Sequence, residues 1–509
     1  MSAGGETMTT DRRLASLAAL CRLGRMDDAV ALAAEWTRTT PRELAAWCAL
    51  GETLAAASRP DLAEQAWSRA VALDPASIGA LCGHAKALAA VDRTGEAATL
   101  YERVLAGDPA AFEARFGLAI LAFDRGDLDR ADALVGGLGR RPPGATWLAA
   151  RISAARGDFE GALVAVETLL ADGGLAEEAH AEALLLQAGC LDRLGRCADA
   201  FAAAVKGKAI QRTIFAGRAA AHEGQTEKLN RLAEWFETAE ASPWNDAPPV
   251  GSAPGDPRSH VFLVGFPRSG TTLLEQVLAG HPDVVALEEA PTLADAYQAF
   301  LKSADGLENL ARISAEEARA WRARYWRVVR AHGAEPAGAV FLDKAPAETL
   351  SLPVIAKLFP GAKVLFAVRD PRDVTLSCLM NSFQMNAMTF AFTDLAETAG
   401  CYGACMRLAA IYRTLLPLAI REVRYEALME DFAGQLATIA SFVGLGFTPA
   451  MADVATTSAG RVVRTPSAAR IRVGIDERGL ARWRAYAGEL APVAAILAPW
   501  ISRFEYSED

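Results

Sequence analysis

Two short stretches hold the residues whose types and spacing suit chemistry on an anion. In VFLVGFPRSGTTLLEQVLAGHP, residues 261–282, the run Val261–Val264 is wholly apolar, as expected of a parallel strand buried on both faces. Gly265 to Gly270 then read as a tight turn, and Thr271 to Leu278 carry a helical pattern. Strand, glycine-bearing loop and helix start together make an anion cradle, because loop amides converge and the helix N-terminus adds positive potential. In AKVLFAVRDPRDVTLSC, residues 362–378, a second apolar strand runs into a polar turn and a helix. Arg369 leaves the strand end, and Ser377 lies about two helical turns inside the helix. Both sites fall at carboxyl ends of strands, where open α/β sheets bind ligands.

The first loop nearly has the spacing GxxxxGK[ST] of a nucleoside-triphosphate loop, and the difference is informative. Gly265 and Gly270 are in place, but Thr271 stands where the lysine for the β- and γ-phosphates belongs. The cation has moved forward to Arg268. An ATPase or kinase would lack its main phosphate clamp.

The elements that must position these residues lie in a chain of 509 residues, 52% hydrophobic and 22% charged, which is enough for two to four domains. Its net charge of −10 argues against general nucleic-acid binding, so any cationic site is local. The N-terminal residues are acidic and polar where a signal peptide needs an apolar core, and no apolar run approaches the ~20 residues of a membrane span. Eight cysteines form no CxxC pair, and six histidines do not cluster. These features predict a reduced, cytoplasmic setting without disulfides or metal.

Upstream of the first strand the sequence repeats. Pro41, Pro75 and Pro109 fall at a 34-residue spacing, as do Ala29, Ala63, Ala97 and Ala131. This pattern resembles the tetratricopeptide repeat, two helices crossing at small residues with a proline ending the second. Less regular units follow to about residue 215. Residues 11–215 are therefore expected to form a helical solenoid, and 216–257 a helix and Pro-rich linker. From 258 to 509 a P-loop-like α/β domain with a central parallel sheet is expected.

PRSGTT together with the strand–Arg369–helix–Ser377 unit resembles the sulfotransferase family, over roughly 258–500. Within it, HPDVVALEEAPT is similar to a segment of the tyrosylprotein sulfotransferases and their bacterial repeat-fused relatives. The resemblance implies 3′-phosphoadenosine 5′-phosphosulfate as donor and no metal. Arg268, Ser269, Gly270, Thr271 and Thr272 would hold the phosphosulfate, and Arg369 and Ser377 the 3′-phosphate. Glu289 would be the general base toward the acceptor hydroxyl, with Glu288 read as an acidic cap of the following helix. Lys344, in FLDKAP, would neutralise charge on the transferring group, although Ala345 replaces the family's aspartate. Tyr425 in VRYEAL would pack on adenine. In RTPSAARIRVGIDERGLARW, residues 464–483, Ser467 would lie near the bridging oxygen, and Arg472 and Arg482 near the 3′-phosphate.

For single residues plainer readings stay open: a salt bridge for Lys344, a core tyrosine for Tyr425, a solvated basic face for any one arginine. The expected function is sulfation of a tyrosine or other hydroxyl on a protein or peptide recruited through the repeats. A glycan, lipid or small metabolite is the alternative acceptor, and a nucleotide-binding scaffold without turnover the alternative class. The repeats would otherwise serve a structural or oligomerising role, such as a homodimer.

Overall fold

The computed structural model describes residues 9–138, 142–245, 255–452 and 479–507. Contacts divide the chain into two compact units, residues 1–165 and 166–509. The first unit is helical throughout its described residues. It begins with α1 (Thr10–Arg22), α2 (Met26–Thr39), α3 (Leu44–Ala56), α4 (Pro60–Leu73) and α5 (Ile78–Ala90). It continues through α6 (Thr94–Gly107), α7 (Phe112–Asp124), α8 (Leu128–Gly136), α9 (Pro143–Ala155) and the start of α10 (Phe159–Ala171).

The 34-residue spacing has a packing cause. Ala29, Ala63, Ala97 and Ala131 are fully buried at the helix crossings, where a larger side chain would push the helices apart. Trp67 fills the space above Gly51 and Gly83: a Cβ at either glycine would come within 2.5 Å of its ring. Tyr101, one period on, stands over Gly117 in the same way. Large ring against glycine is the repeated contact.

The second unit opens with α11 (Glu177–Arg193), α12 (Cys197–Ala220), α13 (Gln225–Glu237) and the single turn α14 (Ser242–Asn245). A five-stranded parallel sheet follows: β1 (Ser259–Gly265), β2 (Val284–Glu288), β3 (Val340–Lys344), β4 (Lys363–Val368) and β5 (Ala419–Arg424). Its order is β2-β3-β1-β4-β5. The chain therefore leaves β1 toward one side of the sheet and later returns to its other side as β4, making the crevice between β1 and β4 a topological switch point. Gly265 pairs with Ala367 there, so the loops that follow β1 and β4 emerge side by side.

The helices between strands are α15 (Thr271–Ala279), α16 (Ala294–Phe300), α17 (Ala304–Ala311), α18 (Ala315–Ala331) and α19 (Leu352–Leu358). After β4 come α20 (Pro371–Met380), α21 (Ala387–Ala391) and α22 (Leu395–Leu415), and after β5 come α23 (Tyr425–Glu430) and α24 (Phe432–Val443). Val261, Leu263, Leu274, Val277, Leu342, Leu365 and Ile439 form one buried core between the sheet and the helices on that face. Among the described residues no helix is long and apolar enough to cross a membrane.

The contact pattern differs from the expected division at 216–257. Helices α11 to α14 belong to the same compact unit as the sheet. Phe236 of α13 lies 4.9 Å, ring to ring, from Tyr412 of α22, and Trp244 of α14 is buried against Phe236 at 5.0 Å. Lys208 of α12 has no exposed surface and donates to the Asn381 carbonyl. Composition marked residues 216–257 as a helix and Pro-rich linker, but Trp244 within them is buried in the core; residues 246–254 lie outside the described set. A fragment beginning at Gly174 is expected to fold, whereas one beginning at Gly255 should aggregate, because it strips these aromatic contacts, each Phe or Trp typically contributing ~3–5 kcal/mol. Equal melting temperatures for the two fragments would contradict this.

Candidate active site

The loop after β1 is held open by backbone geometry that few residues adopt. Gly270 has φ +96°, and a Cβ there would meet Tyr425 Cδ2 at 2.6 Å. Arg268 takes φ +72°, a strained conformation for a side chain of its size that typically costs ~1–3 kcal/mol. The helix α15 starts directly at Thr271, so Thr271 and Thr272, both buried, sit in its first turn. The Ser269 hydroxyl is buried and has no hydrogen-bond partner among the described residues.

The second loop closes on the first. Arg369, 7% exposed, donates through Nη1 to the Arg268 carbonyl at 3.1 Å and through Nη2 to the Gly479 carbonyl at 2.5 Å. Its guanidinium stands 4.9 Å from the Tyr425 ring, a cation–π contact, while Nε is buried without a hydrogen-bond partner among the described residues. Arg268 Nε donates to Ser377 Oγ at 2.9 Å, and Asn381 Nδ2 donates to the Ser377 carbonyl at 2.7 Å. The structure thus brings Arg268, Ser269, Gly270, Arg369, Ser377 and Tyr425 together at the β1–β4 crevice.

A charge cluster lies beside it, where β1, β2 and β3 end. Lys344, fully buried, donates to Glu289 Oε1 at 2.8 Å and Glu288 Oε1 at 3.0 Å, and lies 3.4 Å from Glu275 Oε2. Strand register explains one of these contacts, since Glu288 pairs with Lys344 across β2 and β3. Beyond the strand end, Glu289 turns to φ +48° and its N–H donates to the Lys344 carbonyl at 2.7 Å. Burial pulls the Lys344 ammonium down, but the three carboxylates overcome it and hold its pKa above the ordinary lysine value. Glu275 is pushed up to about 7 by burial, with Lys344 opposing. Glu289 differs in one respect: its side chain is 49% exposed, against 20% for Glu288 and 6% for Glu275. It is the carboxylate an incoming molecule can reach.

Several expectations change here. Glu288 caps no helix: α16 begins at Ala294 behind Leu293, and the Glu288 carboxylate faces Lys344 because the β2 strand runs through it. A surface salt bridge does not describe Lys344 either. Arg482, expected near the 3′-phosphate, pairs with Asp192 of α11, Nε to Oδ1 at 2.9 Å. Ser467 and Arg472, with Arg461, Arg464 and Arg470, lie outside the described residues. Glu275 was not singled out by the sequence reading, although a lone acid in the apolar run TTLLEQVLA was a usable signal. Asp343, next to Lys344, is also buried; Tyr325 and Thr292 hydroxyls donate to its Oδ2 at 2.7 and 2.8 Å, fixing the strand end.

A buried carboxyl with a raised pKa keeps its proton in the folded state over a range where the unfolded chain has lost it. For Glu275 that range runs from the ordinary carboxylate value to about 7. Stability should therefore fall as pH rises through this window and level off above it. Asp343, pushed up to about 6 by burial, acts in the same direction. Urea midpoints measured at about pH 5 and about pH 8 should drop less in Glu275→Gln than in the parent protein. Identical pH slopes would contradict the assignment.

The sulfotransferase family matches residues 260–449, and the tetratricopeptide repeat matches 16–78 and 82–144. The chain is 27% identical over 266 residues to an uncharacterized protein of Aquifex aeolicus (strain VF5), covering 49% of this chain and 33% of that protein. It is 29% identical over 200 residues to protein-tyrosine sulfotransferase 1 of Danio rerio, covering 38% of this chain and 54% of that one. Nodulation protein NoeE of Sinorhizobium fredii is 27% identical over 262 residues, 44% of this chain and 59% of that protein. The chain thus spans 33%, 54% and 59% of the lengths of these three relatives. Tetratricopeptide repeats thus precede a sulfotransferase-family domain that spans the matched residues 260–449.

Proposed function

We propose that this domain transfers the sulfuryl group of 3′-phosphoadenosine 5′-phosphosulfate to a hydroxyl, with a tyrosine of a protein or peptide as the acceptor. The observation that carries this reading is the pairing of the Arg268 and Arg369 loops across the β1–β4 crevice, beside a half-exposed carboxylate on a buried lysine. Ser269 Oγ and Arg369 Nε are buried donors without an acceptor among the described residues, and the Gly270 backbone leaves no room for a Cβ beside Tyr425. Such a cradle fits an anionic nucleotide. With Thr271 in the place of the phosphate-clamping lysine, it fits a triphosphate poorly.

On this reading Arg268, Ser269, Gly270, Thr271 and Thr272 hold the 5′-phosphosulfate, and Arg369 and Ser377 the 3′-phosphate, with Tyr425 beside the base. The donor supplies the activated sulfuryl group. Glu289 takes the acceptor's O–H proton as the new S–O bond forms and the S–O bond to phosphate breaks. Once protonated, Glu289 holds Lys344 less strongly. That frees an ammonium N–H to stabilise the departing oxygen, charge stabilisation placed where charge develops. The tyrosine acceptor is suggested by the likeness to protein-tyrosine sulfotransferase 1 of Danio rerio, and the repeats supply a surface of the kind that binds peptides.

The two neighbouring glutamates separate the roles. With a labelled donor and a tyrosine peptide, Glu289→Gln should lower turnover by about 10²–10⁴ while leaving binding of adenosine 3′,5′-bisphosphate unchanged. Glu288→Gln removes a partner of Lys344 but no proton acceptor, so its loss should be smaller, roughly tenfold. Equal losses, or loss of nucleotide binding in Glu289→Gln, would contradict the assigned roles.

A further inference from the structure

Helix α11 lies in the region where the repeats were expected, yet its Asp192 reaches a segment next to the anion cradle. Asp192 Oδ1 accepts from Arg482 Nε at 2.9 Å and from the Tyr486 hydroxyl at 2.6 Å, and it forms an ion pair with Arg482 Nη2 at 2.5 Å. The ion pair is sheltered, with side-chain exposures of 16% for Arg482 and 11% for Asp192. Between these anchors the Trp483 N–H donates to Asp373 Oδ1 at 2.8 Å, and the Trp483 ring lies 3.5 Å beneath the Arg372 guanidinium. Three residues before Arg482, the Gly479 carbonyl accepts from Arg369 Nη2.

We propose that Asp192 is a positioning residue of the donor site, which seats residues 479–486 and so keeps the Gly479 carbonyl on Arg369. The proposal rests on the donor reading above, since it takes Arg369 as the 3′-phosphate ligand. Arg369 is oriented by two carbonyls, Arg268 on one side and Gly479 on the other, and by the face of Tyr425. The Arg268 carbonyl is fixed by the loop after β1. The Gly479 carbonyl belongs to a segment whose hold on α11 is Asp192. Without that carboxylate, Arg482 becomes a sheltered cation with no counter-charge and must move toward water, carrying its neighbours with it. The guanidinium of Arg369 then loses one of its two carbonyl partners, and with it the direction in which its remaining N–H groups point. The next helix, α12, reaches the other side of the cradle through Lys208, the Asn381 carbonyl and the Asn381–Ser377 contact.

A lost 3′-phosphate contact has a signature that a general loss of stability lacks. Affinities of the full chain for adenosine 3′,5′-bisphosphate and for AMP, measured by calorimetry, give a ratio that reports the 3′-phosphate alone. Asp192→Asn should lower bisphosphate affinity by roughly tenfold and AMP affinity by less than about twofold. Tyr486→Phe, a milder change that keeps the ion pair, should shift the ratio the same way by a smaller factor. If Asp192→Asn does not fold, the Tyr486→Phe ratio decides. A ratio unchanged in the variants, with both nucleotides weakened alike or neither, would overturn the proposal. A parent protein that binds the two nucleotides equally would overturn the donor reading first, and the proposal with it.

Discussion

A lysine with no exposed surface can stay charged only if carboxylates surround it, and the candidate site is built around that requirement. Removing an ammonium from water costs several kcal/mol unless close partners compensate. Lys344 finds them in Glu288 at the end of β2 and Glu289 in the turn beyond it, with the Glu275 carboxyl of α15 3.4 Å away. The pairing therefore fixes the ends of two strands against the helix that carries the anion loop. It also holds Glu289 in its left-handed turn, with the carboxylate half in solvent. The excess of carboxylate over ammonium is relieved at Glu275, whose burial keeps it protonated up to about neutral pH.

The second constraint is the order of the strands. Because β4 returns beside β1, two loops of similar construction face each other across one crevice. Each alone is a common strand-to-helix turn. Together they place two arginines in contact, Arg369 on the carbonyl of Arg268, and Ser377 on the Arg268 side chain. The strained φ of Arg268 and the absence of a Cβ at Gly270 are tolerated because the surrounding packing over-determines them.

What could be read in the sequence follows the range of the interactions. The strand–loop–helix units at 261–278 and 364–377 were legible because their signals are local: apolar runs, glycines, a helix start. The repeats were legible because one crossing recurs at fixed spacing, from Ala29 to Ala131. Contacts between distant residues left little trace. Asp192 and Arg482 are 290 positions apart, and Lys208 and Asn381 are 173 apart. Glu288 was misread as a cap because two adjacent acids before a Pro–Thr pair look like a helix start. Strand register, which a single sequence does not disclose, carries that residue to Lys344 instead. The Pro-rich stretch after residue 243 suggested a division between domains, but one buried tryptophan and the aromatic contacts of α13 join the preceding helices to the sheet.

The central claim is that the cradle between β1 and β4 is shaped for a nucleotide carrying a 3′-phosphate and a single charged group beyond the 5′-phosphate. Competition calorimetry on the intact protein tests it most directly, with adenosine 3′,5′-bisphosphate and ATP as the two ligands. The account predicts that the bisphosphate binds at least about tenfold more tightly, because in the proposed site Arg369 and Ser377 would meet its 3′-phosphate and no lysine at position 271 would meet a γ-phosphate. Tighter binding of ATP would contradict it.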